Sequence, residues 1–308
     1  MRQRGPRPPP EPPAGRAAGS VRVEAALREQ QRLLGISAPR LQDASVDDIH
    51  HARVAARRLR SLLKTYRPLL DARRARLYRM DLRSYARALA GVREADVRRD
   101  MLVAFARREP AVTPVEFRRL GIQLEDHRLA ARQALRRHLG EPGWAALCKA
   151  LERHAASERL LLLQDADLER VLDLVDEPWR KAVQLVEDDR QEPAELHELR
   201  LALKHCRYAL ESVADLEPET AAHLLRRLRA AQDGIGEHRD AVLARHWVKS
   251  HERSLGRLLT QRLLRLLERR EASLMEQAVA RSRKVLPAYR AWGKAARRIK
   301  RTATSGRA

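Results

Sequence analysis

The chain has 308 residues, with 63 Lys+Arg against 41 Asp+Glu, a net charge of +22, 44% hydrophobic residues and 4% aromatics. This leaves aliphatic material for a core, and so large a charge calls for an anionic partner: nucleic acid, an acidic membrane or a polyphosphate. Cys148 and Cys206 show no CxxC or Cys/His spacing, which argues against a disulfide framework or zinc site, and the longest purely aliphatic run, Leu160 to Leu163, is too short to span a bilayer.

A cytoplasmic protein without membrane, metal or cofactor is therefore expected. Residues 1–19 are set apart by Pro6, Pro8, Pro9, Pro10, Pro12 and Pro13 among Arg and Gly, and read as a disordered cationic tail. From Val21 onward the pattern is helical. Ser45 with Asp48 three residues on predicts a capping box opening a helix that runs to about Pro68. Further helices are predicted near 72–92, 94–108, 114–138 and 143–163, then a segment near 166–190. Four more follow near 194–215, 218–233, 239–270 and 273–300. No stretch alternates with a period of two, so the fold class is all-α.

The most informative feature is an internal repeat. Ile49-His50-His51-Ala52-Arg53-Val54-Ala55-Ala56-Arg57-Arg58-Leu59-Arg60 aligns with Leu196-His197-Glu198-Leu199-Arg200-Leu201-Ala202-Leu203-Lys204-His205-Cys206-Arg207 at a constant offset of 147 residues. Downstream the match resumes at 146: Leu82-Arg83 with Leu228-Arg229, and Arg93-Glu94-Ala95 with Arg239-Asp240-Ala241. Residues 20–301 are therefore read as one multi-helix unit used twice in tandem, about 20–163 and 166–301.

On a helical wheel at about 100° per residue, Arg53, Arg57, Arg60 and Lys64 fall within roughly 80° of His50 on one stripe. Leu59, Leu62 and Leu63 face away, where a core contact belongs. His197, Arg200, Lys204 and Arg207 repeat the stripe. Stacked cations repel and cost stability, so a fold keeps them most readily when an anion neutralises them. Arg suits this because its planar guanidinium grips phosphate oxygens bidentately. Arg76, Arg79, Arg83 and Arg87 make a second stripe on the next helix, with only Arg83 clearly repeated, at Arg229.

At these residues the chain resembles the CHAD family, the conserved histidine α-helical domains. The two His/Arg helices look like its signature helices. Gly91-Val92-Arg93-Glu94-Ala95-Asp96-Val97 and Gly236-Glu237-His238-Arg239-Asp240-Ala241-Val242 look like its two helix-turn segments. The resemblance covers roughly 20–295. It implies two pseudo-symmetric bundles whose basic faces converge on a groove or pore, binding of inorganic polyphosphate, and association with polyphosphate granules in bacterial members. By match to the motifs, His50, Arg53, Arg57, Arg60, His197, Arg200, Lys204 and Arg207 are the implied ligand contacts, with Lys64, Arg83, Arg87, Arg93, Arg229, His238 and Arg239 added. Two departures stand out: Glu211 occupies the second-half equivalent of Lys64, and Glu94 replaces the usual Asp. The acidic metal-binding strands of the CYTH triphosphatase domain often fused to the family are absent.

Two other readings compete. A basic helical protein of this charge would also touch nucleic acid, at least weakly and non-specifically, through its Arg-rich last helix. Yet the few aromatics do not interleave with the repeated stripe, as stacking platforms would require. An enzyme is not expected. There is no Walker-type glycine loop, His197-Glu198 lacks the second zincin histidine because position 201 is Leu, and no paired carboxylates accompany the signature histidines.

Overall fold

The computed structural model describes residues 17–37, 41, 45–156, 164–188 and 193–305, and among these every regular element is a helix. In chain order they are α1 (Ala18–Ser37), α2 (Val46–Thr65), α3 (Ala72–Ala88), α4 (Ala90–Arg108), α5 (Pro114–Leu139) and α6 (Pro142–Ala156). Then come α7 (Leu168–Asp176), α8 (Trp179–Glu187), α9 (Pro193–Glu211), α10 (Pro218–Ser250), α11 (Glu252–Leu255), α12 (Arg257–Arg283) and α13 (Val285–Ser305).

Helix starts follow local chemistry. The Ser45 hydroxyl accepts from the Asp48 amide at 3.1 Å, and the Asp48 carboxylate accepts from the Ser45 amide at 3.1 Å, closing the predicted capping box before α2. Thr113 and Glu116 close a second box before α5, with Pro114 at its first position, where a missing N–H costs nothing. Asp71 and Asp167 cap α3 and α7 by accepting from the amides of Arg74 and Arg170.

Several boundaries differ from the sequence reading. Helix α1 begins at Ala18, inside the tail expected over 1–19, because Ser20 is tied down. Its amide donates to Ala166 O at 3.0 Å and its hydroxyl accepts from the Ala166 amide at 2.8 Å. Residues 1–16 of that tail lie outside the described residues, as do 157–163 of the helix predicted near 143–163. The 166–190 segment is two helices, parted at Glu177 and Pro178. The break drawn between 233 and 239 does not exist, and α10 runs unbroken through Gly234 and Gly236. Helix propensity alone argues against two glycines in a helix interior, but both are packing positions. A Cβ on Gly234 would come within 3.3 Å of the Ala278 Cα, and one on Gly236 within 3.3 Å of the Arg200 guanidinium. The chain breaks instead after Ser250 and again at Gly256, just before α12, where a φ of 88° is open to glycine and strained for other residues.

Two hydrophobic cores result. The larger joins α1, α2 and α3 to α7, α8, α9, α10 and α13. The smaller joins α4 and α5 to α10, α11 and α12. Each draws on both halves of the chain. Leu59, Leu62 and Leu63 of α2 and Leu203, Cys206 and Leu210 of α9 are buried, each leucine contributing about 1.5–3 kcal/mol. Helices α2 and α9 pack against each other, and that seam positions the site.

Candidate anion-binding site

The apolar faces of α2 and α9 are anchored in the core, so their opposite faces must carry the basic stripes to the seam. There the side chains paired by the sequence repeat meet. The field of Arg57 and Arg200 acts on Arg53; that of Arg57 and Arg239 acts on Arg200; and that of Arg57, Arg200, Arg207 and Arg239 acts on Lys204. Arg93 at the start of α4 and Arg239 of α10 complete the group. His50 stands beside Arg93, Arg53 and Arg57, and His197 beside Arg239, Arg200 and Lys204. Two carboxylates enter, Glu94 beside Arg53 and Asp240 beside Arg200.

Two acids do not balance six Lys or Arg side chains, and the imbalance registers at Arg53, Arg200, Lys204 and the two histidines. Burial, reinforced by Arg57, holds Arg53 down to about 10. Burial and the surrounding arginines bring Lys204 down to about 6. Burial lowers Arg200, His50 and His197 as well, with neighbouring cations adding to it. Burial pushes Asp240 above the ordinary carboxylate value despite the pull of Arg200, Arg239 and Arg93. Arg53 Nη1 and Arg200 Nε are buried with no protein acceptor. Buried cationic donors left without acceptors cost free energy, so this cluster is held against its own electrostatics. Gly236 makes the approach feasible: the Arg200 guanidinium lies where a Cβ on α10 would sit.

A second group of basic side chains continues from α2 onto α3. Arg60 is depressed by burial and by Arg79, Arg83, Arg57 and Arg87; Arg83 and Arg87 are exposed on α3. Lys64 is exposed beyond them and faces His205, which burial, Lys64 and Arg79 bring down to about 4. The Thr65 hydroxyl donates to Ser61 O at 3.2 Å and lies 3.0 Å from His205 Nε2, so the neutral imidazole is the donor in that contact.

Three sequence-expected contacts are engaged elsewhere, Arg207 while its field still reaches Lys204. Arg207 Nε and Arg229 Nη2 reach Glu211 at 3.7 and 3.9 Å, and Arg58 Nε reaches it at 3.2 Å. Arg207 and Arg58 also flank the Tyr208 ring, at 4.9 and 5.8 Å from its centroid. Glu211 thus draws Arg207 and Arg229 into an internal network. His238, one residue before Arg239, is turned by one helical step toward Glu271 of α12 and is buried. A cleft of about 370 Å³ beside Glu211, between α1, Arg58, Leu62 and Tyr208, is walled mostly by apolar atoms.

Sequence reasoning did not assign Glu94, Asp240, Gly236 or Arg58 to the site. Glu94 and Asp240 stand at equivalent repeat positions, a signal in plain view. Nothing in the sequence indicated that Arg58 would cross to Glu211. Among the described residues no group of three or more His, Cys, Asp or Glu could hold a metal ion, and no helix is long and apolar enough to cross a membrane. Both cysteines are free thiols.

Fold and site together define an all-helical protein with a half-buried, under-neutralised cationic seam between two motif helices. The CHAD domain model matches residues 24–249, and the chain belongs to the CHAD family. Among solved structures it is similar to PptA from Streptomyces chartreusis, at 22% identity and a TM-score of 0.64, covering 90% of this chain and 98% of that one. It is also similar to the CHAD domain from the plant Ricinus communis, at 21% identity and a TM-score of 0.67, covering 87% and 92%. No curated protein matches the sequence.

Proposed function

We propose that this protein binds inorganic polyphosphate without chemical turnover, and that the seam between α2 and α9 is the site. The observation that carries the reading is the convergence of Arg53 with Arg200 and Arg57 with Lys204, partners at the same 147-residue offset, in one half-buried cluster short of counter-charge. That convergence supports two related halves meeting at a basic groove. A linear polyanion supplies what the cluster lacks, a run of oxygens that accept from guanidinium donors and restore the lowered protonation of Lys204. Family membership supports polyphosphate as the polyanion, and attachment to polyphosphate granules accords with it. His50, Arg53, Arg57, Arg60, Arg93, His197, Arg200, Lys204 and Arg239 are the contacts.

Burial of the aromatics weighs against single-stranded nucleic acid. Tyr66, Tyr78, Tyr85, Tyr208 and all four tryptophans are buried, Phe105, Phe117 and Tyr289 are half-buried, and none stands as a fully exposed stacking platform at the seam.

The test is binding of long-chain polyphosphate at near-physiological salt, with double-stranded DNA and heparin as competitors, beside Arg53→Ala/Arg57→Ala/Arg200→Ala/Lys204→Ala. Preferential binding of polyphosphate, lost in a variant that stays helical and weakening steeply with added salt, is the expected result. Equal competition by DNA with no loss in the variant would mean that the charge acts diffusely and the reading is wrong.

A further inference from the structure

We propose that the polyphosphate track is one-ended: Glu211 closes it on the α9 side, and the bound chain leaves the central cluster along the basic side chains of α2 and α3. The inference rests on the polyphosphate reading and adds direction and length preference to it.

The repeat lets the two ends be compared position by position. On the first-half side stand Arg60, Lys64, Arg79, Arg83 and Arg87. At the 147- and 146-residue offsets their counterparts are Arg207, Glu211, Leu225, Arg229 and Asp233. Five cations thus face two cations, two acids and a leucine. Leu225 is buried, so its position has left the surface chemistry altogether. Asp233 is exposed on α10.

Cross-seam contacts show the same inversion. Lys64 faces His205, whose counterpart in the first half is Arg58, and Arg58 binds Glu211, the counterpart of Lys64. One contact sets a cation against a neutral imidazole that burial keeps uncharged; its twin is an ion pair. A phosphate advancing toward α9 would meet the Glu211 carboxylate, which is only 19% exposed and already held by Arg58, Arg207 and Arg229 at 3.2, 3.7 and 3.9 Å. Displacing it would strand a buried charge. Advancing along α3, the phosphate meets Arg79, Arg83 and Arg87, none of which makes an ion pair among the described residues.

The decisive comparison is Arg83→Ala against Arg229→Ala. Both residues are exposed, so neither change threatens the fold. Long-chain polyphosphate affinity should fall severalfold in Arg83→Ala and stay at the wild-type value in Arg229→Ala. A second variant, Glu211→Gln, opens the closed end. Its affinity for long chains should rise about tenfold, and its salt dependence should steepen by one or two counterions, while the affinity for short chains that fit the central cluster stays unchanged. Equal losses in Arg83→Ala and Arg229→Ala, or a Glu211→Gln protein that folds and binds long chains no better, would overturn the one-ended track. If wild type binds and the four-fold seam variant does not, that failure leaves the polyphosphate reading standing. No binding by wild type would remove the reading and this inference together.

Discussion

Lys204 allows the electrostatic argument to be tested on one proton. Its ammonium is brought from 10.5 to about 6, by burial first and then by Arg57, Arg200, Arg207 and Arg239. At about 1.4 kcal/mol per unit, a charged Lys204 in the free protein costs the fold roughly 6 kcal/mol. The folded value lies below the unfolded one, so between about pH 6 and 10.5 the unfolded chain holds more protons. Stability from this residue therefore rises with pH across that window and is lost as pH falls toward 6. Binding runs the other way. A polyanion in the seam restores the charge, so the complex holds a proton that the free protein lacks at pH 7.5. Affinity should increase as pH falls from 8 to 6, by at most about tenfold per unit for one proton. Below 6 the contribution of Lys204 levels off. Calorimetry at pH 7.5 in buffers of different ionisation enthalpy should report uptake of at least about one proton on binding. Lys204→Met should bind more weakly, take up about one proton fewer and unfold at higher temperature, because it removes the cost of deprotonating a lysine on folding while keeping an apolar stem of similar length. Undiminished uptake in that variant, or a lower melting temperature at pH 7.5, would refute the placement of Lys204 in a cation cluster.

Three further outcomes follow from the packing. Gly236→Ala should raise stability by up to about 1 kcal/mol through helix propensity, yet weaken polyphosphate binding severalfold, since its Cβ would press on the Arg200 guanidinium at 3.3 Å; melting and titration of the same sample separate the two effects. Gly256→Ala should cost about 1–3 kcal/mol, as its φ of 88° is strained for any side chain and its Cβ would meet Arg119 Nη1 at 2.9 Å; chemical denaturation reads the loss, and binding by the folded fraction should be unchanged. Ser45→Ala should cost about 1 kcal/mol by opening the capping box of α2, and amide exchange should show the loss first in the turn that carries His50.

Local rules carried much of this protein. Helix identity, the Ser45 box, the burial of Leu59, Leu62 and Leu63, and the candidacy of His50, Arg53, Arg57, His197, Arg200 and Lys204 all follow from spacing, because helical period and repeat offset are properties of the chain itself. Where the reading failed, a distant contact had overridden a local preference. Gly234 and Gly236 look like helix breakers until α12 and Arg200 are packed against them. The tail looks as if it ends at residue 19 until Ser20 bonds to Ala166. His238 and Arg239 look equivalent until one helical step sends one to Glu271 and the other to the seam. The sequence by itself determined which side chains are basic, helical and repeated. Only the tertiary structure decided which of them share a dielectric and a counter-charge, since Arg207 and Arg53 differ less in sequence context than in the Glu211 carboxylate that stands 3.7 Å from Arg207 Nε.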